Sequence, residues 1–204
     1  MSANGRSLKS ILESGEFIVA PGVFEMISAR VADQMGFQAL YMTGYGATAS
    51  YLGLPDAGVA TYSEMVDCAG RIARGTSTPL IADADTGYGG LLNVHRTIQG
   101  YEAAGVQGIQ IEDQVTPKKC GHTLGREVVP LEDMVQKILR VFLIHLTKSS
   151  SLISSPFKYD SIIFSSCSTA ASTNSVLYFC EISFKSSGIS LYSHSAPKAS
   201  FFQT

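Results

Sequence analysis

Residues 81–90 read IADADTGYGG, an apolar run that ends in Asp83 and Asp85 and passes straight into Thr-Gly-Tyr-Gly-Gly. In a strand, alternate side chains share a face, so Asp83 and Asp85 point one way while Ala82 and Ala84 point the other. Two carboxylates so placed repel, and one stays protonated unless a cation lies between them. Oxygen ligands with room for water suit magnesium. The alternative is a strand that closes in an Asp turn, with glycines for tight backbone geometry. This stretch alone supports both readings.

The flanking sequence repeats one order up to about Leu139: a short apolar strand, a polar or glycine-rich turn, then an amphipathic helix. EFIVAPGVF (16–24) reads as the first strand with its exit turn, and EMISARVADQMG (25–36) as a helix closed by Gly36. QALYMTGYG (38–46) is the second strand. Thr61 and Glu64 have capping-box spacing ahead of a helix whose inner face carries Met65, Ala69, Ile72 and Ala73. TPLIADADTGYGG (78–90) is the third strand. Leu91, Val94, Ile98 and Tyr101 stripe the next helix, which ends near Gly105, and VQGIQIEDQ (106–114) is the fourth strand. Strands alternating with helices predict a parallel sheet with right-handed crossovers. The polar residues gather after each strand, where α/β barrels and doubly wound sheets keep their sites.

A chain of 204 residues allows one domain or a little more, and 45% hydrophobic residues suffice for a core. The net charge of −2 and pI near 6.1 leave no electrostatic footprint for nucleic acid or an anionic membrane. The opening MSANGRSLKSILESGEF lacks an apolar signal core, and no run approaches the ~18 apolar residues of a membrane span. A cytoplasmic protein is expected, with a mitochondrial compartment left open. Cys68, Cys120, Cys167 and Cys180 lack metal-type spacing and read as reduced thiols. Past Leu139 the composition changes. From Val141 to Thr204, 18 of 64 residues are serine, against 8 in the first 140. Residues 1–139 thus read as one α/β region. Residues 140–204 read as an atypical, irregular tail that does not continue that fold, as a translated intron or shifted frame would produce.

Four segments, YMTGYG (41–46), LGLPD (52–56), DADTGYGG (83–90) and IEDQVTPKKCGH (111–122), together resemble the isocitrate lyase/phosphoenolpyruvate mutase superfamily. The nearest likeness is to its methylisocitrate lyase, dimethylmalate lyase and oxaloacetate hydrolase branch, over roughly residues 5–139. The resemblance implies the N-terminal half of a (β/α)8 TIM-type barrel, about four βα units. It also implies a small anionic carboxylate substrate, Mg2+ (with Mn2+ as a substitute) and a homo-oligomer. By the same resemblance Asp83 and Asp85 match metal ligands, partly through water, and Asp56 and Glu112 match carboxylates standing behind them. Thr43, Gly44 and Tyr45 fall where the family presents donors to a substrate carboxylate. Many lyases have Ser-Gly-Gly there, so Thr-Gly-Tyr leaves specificity open. Tyr41 matches a tyrosine near the reacting carbons, and Cys120 a catalytic cysteine on a mobile loop in which Gly121 allows bending. Phosphonomutases typically carry asparagine at that place, so Cys120 favours carbon–carbon cleavage.

The implied chemistry is coherent. Retro-aldol cleavage of a 2-hydroxy acid leaves a carbanion that a nearby acid must protonate. A thiol titrates near ~8.5, and adjacent Lys118, Lys119 and His122 would lower that value, so Cys120 can exchange a proton near neutrality. Plainer readings stand beside these. Tyr41 also reads as a strand aromatic, Cys120 as an ordinary loop thiol, and His122 as a residue that orients the loop. Cys68 and His95 read as packing residues. Lys118 and Lys119 read as a solvated pair or as an attractor for anionic substrate. Glu112 and Asp113 alternate on their strand, so one of them at most faces a metal. A truncated, inactive member of the superfamily is the alternative function, and a phosphonomutase-like enzyme a weaker one. Either way, half a barrel with open edges should oligomerise or aggregate.

Overall fold

The structure is a computed structural model that describes residues 6–121 and 123–149 and the strand segments 163–166, 178–181, 184–185 and 188–189. A four-stranded parallel sheet runs β1 (Gly22–Val23), β2 (Leu40–Met42), β3 (Leu80–Asp83) and β4 (Gly108–Gln110) in sequence order. Its helices are α1 (Leu8–Glu13), α2 (Met26–Gln34), α3 (Gly44–Leu52), α4 (Tyr62–Gly75), α5 (Leu91–Ala104) and α6 (Leu131–Ser149). The α/β architecture expected from the alternating pattern is the one observed. The strands, however, are shorter than their apolar runs. Pro21 has no amide to donate, and pairing of β1 begins only at Gly22. The second run ends at Met42 because Thr43 caps α3, a helix the strand pattern hid; its side chain accepts from Gly46 N at 2.8 Å.

The register places the chemistry. Leu40 pairs with Leu80, Met42 with Ala82, and Ala82 with Ile109, and these side chains pack under the helices. Against them lie Met65, Ala69 and Ile72 of α4 and Val94, Ile98 and Tyr101 of α5. Tyr41, Ile81, Asp83 and Gln110 alternate onto the opposite face, where Leu8 of α1 closes one end over Ala39 and Ile81. Leu8 N donates to Gln107 Oε1 at 2.9 Å and secures that closure. The capping box forms as its spacing predicts: Thr61 N donates to Glu64 Oε2 at 2.7 Å, and the Thr61 side chain accepts from Glu64 N. Gly105 ends α5 with φ +96°, whereas Leu91, expected on the buried stripe of that helix, stands 40% exposed at its first turn.

Helix α6 crosses Leu139 without a break. Beyond it, β5 (Ile163–Ser166) pairs antiparallel with β6 (Tyr178–Glu181), and β7 (Phe184–Lys185) with β8 (Gly188–Ile189). None of these strands joins the ladder of β1–β4, although β5 passes beside β4. The irregular character expected for 140–204 falls mostly outside the described residues. Among the described residues no helix is long and apolar enough to cross a membrane.

The core makes a simple prediction. Ile72 is 1% exposed at the α4–sheet contact, whereas Leu92 is 74% exposed. Ile72→Ala should lower unfolding stability by about 2–5 kcal/mol, and Leu92→Ala should leave it nearly unchanged, as read by urea denaturation. Equal effects would contradict the packing described.

Candidate active site

Four carboxylates meet beyond the carboxyl ends of β2, β3 and β4. Asp83 is the last residue of β3, and Gly44 N donates to its Oδ2 at 3.2 Å. A Cβ at Gly44 would fall 2.5 Å from that oxygen, so the first turn of α3 can approach the carboxylate only as glycine. Asp85 reaches the same place by another route than the one expected. The strand ends at Asp83, and Asp85 adopts φ +50°, so a turn rather than strand alternation brings the two acids together. Asp85 N donates to Asp83 Oδ1 at 2.8 Å, and Glu112 N donates to Asp85 O at 2.7 Å.

At the centre stands a residue that sequence reasoning left in solvent. Lys118 Nζ lies 2.8 Å from Asp56 Oδ1, 2.5 Å from Asp85 Oδ1 and 3.9 Å from Glu112 Oε1, with its side chain 2% exposed. Its neighbour Lys119 points away, donating to Gly125 O at 2.7 Å. The two lysines are therefore not a solvated pair, and only the first belongs to the site. Four acids face one buried cation, and the electrostatics follow from that imbalance. Burial, offset in part by Lys118, pushes Asp83 up to about 6. Burial and the adjacent Asp83 charge do the same to Asp85, also to about 6. Burial raises Glu112 as well, and the surrounding acids outweigh burial to raise Lys118.

Three side chains hold the backbone of this turn. Tyr101 Oη donates to Asp83 O at 3.0 Å, Lys137 Nζ to Thr86 O at 3.0 Å and Thr97 Oγ1 to Gly87 O at 3.2 Å. Tyr101 and Thr97 come from α5 and Lys137 from α6, so the packed helices grip the loop from behind. Periodicity marks Tyr101 as a core residue; nothing in the sequence reveals what its hydroxyl holds. Lys137 lies within a helical run that resembles any amphipathic surface.

The remaining expected residues take distinct places. Tyr41 Oη donates to Gln110 Oε1 at 2.8 Å; burial first, then the charges of Asp83 and Glu112, keep its phenol protonated. Thr43 Oγ1 accepts from Gly46 N in the helix cap, which leaves its hydroxyl proton to donate, whereas the Gly44 amide serves Asp83. The Tyr45 amide is the remaining first-turn donor among the described residues, and its ring is 60% exposed. Cys120 is a half-buried free thiol two residues beyond Lys118. Neither neighbouring ammonium is directed at it, since both are committed as above. Gly121 has room for a Cβ, its nearest neighbour being Arg126 Nη1 at 3.8 Å, so this conformation does not require glycine there. His122 lies outside the described residues. Glu112 faces Lys118, whereas Asp113 is buried apart from the cluster and draws on Lys137.

The donor chemistry fits a hard divalent cation: every acidic ligand offers oxygen, the negative charge is in excess, and Gly44 keeps Asp83 accessible. Among the described residues no group of three or more His, Cys, Asp or Glu side chains is placed to hold a metal ion as they stand.

Two consequences can be measured. Asp83 and Asp85 hold protons more tightly folded, near 6, than at the ordinary 3.8. The stability this confers is full below 3.8 and is lost as pH rises through about 6. Without metal, Asp83→Asn should therefore flatten the fall in Tm between those limits; an unchanged slope would contradict the assignment. Gly44→Ala should destabilise the chain, because the new Cβ meets Asp83. Gly90→Ala, with φ −75° and nothing within 4 Å, should not. Thermal melts of both variants check this.

Comparison with known proteins identifies the family. The phosphoenolpyruvate phosphomutase family model matches residues 8–149. The chain is 52% identical over 131 residues to 2,3-dimethylmalate lyase of Eubacterium barkeri, covering 64% of this chain and 45% of that protein. Among solved structures it resembles oxaloacetate acetylhydrolase bound to 3,3-difluorooxalacetate, with TM-score 0.69 and 39% identity over 78% of this chain and 52% of that one. It also resembles phosphonopyruvate hydrolase in complex with oxalate and Mg2+, with TM-score 0.64 and 31% identity over 78% of this chain and 51% of that one. The chain spans about half the length of these relatives. It belongs to the phosphoenolpyruvate mutase/isocitrate lyase superfamily, as a stretch corresponding to the first half of the TIM-type barrel.

Proposed function

We propose that this chain carries the cation-binding half of a magnesium-dependent carbon–carbon lyase. Its substrate class would be small 2-hydroxy di- or tricarboxylates, with hydrolysis of oxaloacetate as the closest variant. The observation that carries the reading is the buried, all-oxygen cluster of Asp56, Asp83, Asp85 and Glu112 at the carboxyl ends of the strands. The likeness to a hydrolase solved with oxalate and Mg2+ supports it, as does the identity with a dimethylmalate lyase.

Asp83 and Asp85 would hold Mg2+, or Mn2+ in its place, with Asp56 and Glu112 behind them. When bound, the ion supplies Lewis acidity for charge on the oxygens of a 2-hydroxy- or 2-oxo-carboxylate. The Tyr45 amide at the start of α3, with the Thr43 hydroxyl proton, offers donors to a substrate carboxylate. Tyr41, protonated throughout the neutral range, is a hydrogen-bond donor beside the reacting carbons rather than a base. In the cleavage, the substrate hydroxyl gives its proton to water and becomes the carbonyl of one product, the carbon–carbon bond breaks, and its electron pair remains on the departing carboxylate product as an enolate. Cys120 would then give that carbon a proton. A phosphonomutase-like reaction is disfavoured by the thiol at this position.

A second reading has an observation of its own. Among the described residues the parallel sheet has four strands, with β1 and β4 at its edges and no ladder from β5–β8 onto either. On this reading the chain binds the ion but turns over little or no substrate, and associates with itself through those edges.

Calorimetry with MgCl2 tests the metal proposal: the parent chain should bind, and Asp85→Ala should not while remaining folded. Unchanged affinity in Asp85→Ala would remove the site. Product analysis with oxaloacetate, 2-methylisocitrate and 2,3-dimethylmalate separates the two readings. Turnover by a monodisperse monomer supports the first, and metal binding by an inactive oligomer supports the second. In a full-length relative with this loop, Cys120→Ser should abolish turnover and spare metal binding; normal turnover would remove the thiol from the mechanism.

A further inference from the structure

The two flanks of the half-barrel carry one step more, which rests on the self-association of the second reading above and on no bound ion. We propose that two copies of this chain close on one another about a two-fold axis, each setting α6 and the β4 edge against α2 and the β1 edge of the other.

The helices run in the row α2, α4, α5, α6, each packed on the next. Both end helices carry an exposed apolar stripe at helical spacing: Ile27, Val31 and Met35 on α2, and Leu131, Val135 and Leu139 on α6. On α2, Met26 lies against Gly75 at the end of α4, and Asp33 bonds Ser77 and Thr78 just beyond it. At about 100° per residue, Val31 and Met35 fall on the opposite side, the outer flank of the row. On α6, Met134, Lys137 and Val141 are buried, and the exposed stripe lies about a third of a turn round from them. The strip beside α2 extends to the chain ahead of β1. Ile18 and Ala20 pack in toward Leu8, whereas Phe17 and Val19, which alternate with them, are exposed. Gln38, just past Met35, accepts from Val19 N at 3.2 Å and donates to Phe17 O at 3.2 Å, which holds that pair near the end of α2.

A second copy is the occupant these features fit. The chain spans about half the length of its barrel relatives, and its own sheet offers four parallel strands in sequence order, so two copies supply the eight of a closed barrel. A two-fold axis along that barrel sets β4 of each copy beside β1 of the other with every strand parallel. The joint occurs twice, so the contact closes and does not propagate. The same operation lays the α6 stripe beside the α2 stripe. Charge agrees with this pairing: α6 presents exposed Glu132 and Asp133 in its first turn, and α2 presents exposed Arg30 next to Val31. Pairing α6 with its own copy would bring those acids together instead. β5 passes beside β4 without a ladder, so among the described residues no further strand pairs with that edge.

The test is sedimentation equilibrium of the full chain and of two variants at exposed positions, Val31→Lys on α2 and Val135→Glu on α6. The parent should be a dimer, and each variant alone should dimerise at least about thirtyfold more weakly. An equimolar mixture of the two should recover a dimer, because the introduced charges attract at one joint and the other joint is unaltered. Leu92→Glu, exposed on α5 between the two ends, should dimerise as the parent does. Should a charged variant fail to fold, Met35→Ala or Leu139→Ala takes its place, with a dimer about tenfold weaker. Dissociation of one variant only would mean like-to-like pairing and overturn the proposal. A parent larger than a dimer, an oligomer that both variants keep, or a mixture that stays dissociated would overturn it and leave self-association standing. A monomeric parent would overturn both.

Discussion

Gathering four carboxylates in a buried pocket is the constraint around which the rest of this half-barrel is arranged. Separately, each acid would stay ionised and exposed. In the pocket, burial first and then neighbouring charge raise the proton affinity of Asp83, Asp85 and Glu112, and a cation stands close at hand. That cation is Lys118, from a segment far along the chain, contacting Asp56, Asp85 and Glu112 at once. The sheet register supplies Asp83, a left-handed turn supplies Asp85, and the helices behind supply Tyr101, Thr97 and Lys137 to hold the turn.

This arrangement explains why the loops, and not the strands, carry most of the precision. β3 has four residues, and only its last contributes an acid. Everything beyond it is positioned by hydrogen bonds to backbone carbonyls and by the close approach that Gly44 and Gly58 allow. The segment after β4 brings Lys118 in against Asp56 and Asp85 and carries Cys120 two residues further on.

Much of this was legible in the sequence where the signal is local. The capping box at Thr61 and Glu64, the inner face of α4, the glycine that ends α5 and the acidic pair after an apolar run each depend on neighbours a few residues apart. Strand lengths were less legible, because apolar residues continue past the point where Pro21 or the Thr43 cap stops the ladder. The convergence of Asp83 and Asp85 was expected from strand alternation, but it arises from positive φ at Asp85, which no hydropathy pattern encodes. Lys118 was the residue least visible. A Lys-Lys pair beside Cys-Gly-His reads as a solvated basic patch, and only the long-range meeting of three loops shows that one lysine turns inward. Leu91 fits the periodicity of α5 but sits at its first turn, where the stripe has not yet reached the core.

The central proposal, that this pocket is a divalent cation site, is most directly tested by anomalous diffraction from crystals of the chain grown with MnCl2. The account predicts a manganese peak in coordination distance of the Asp83 and Asp85 carboxylates. Crystals grown with MnCl2 that show no peak there would contradict it.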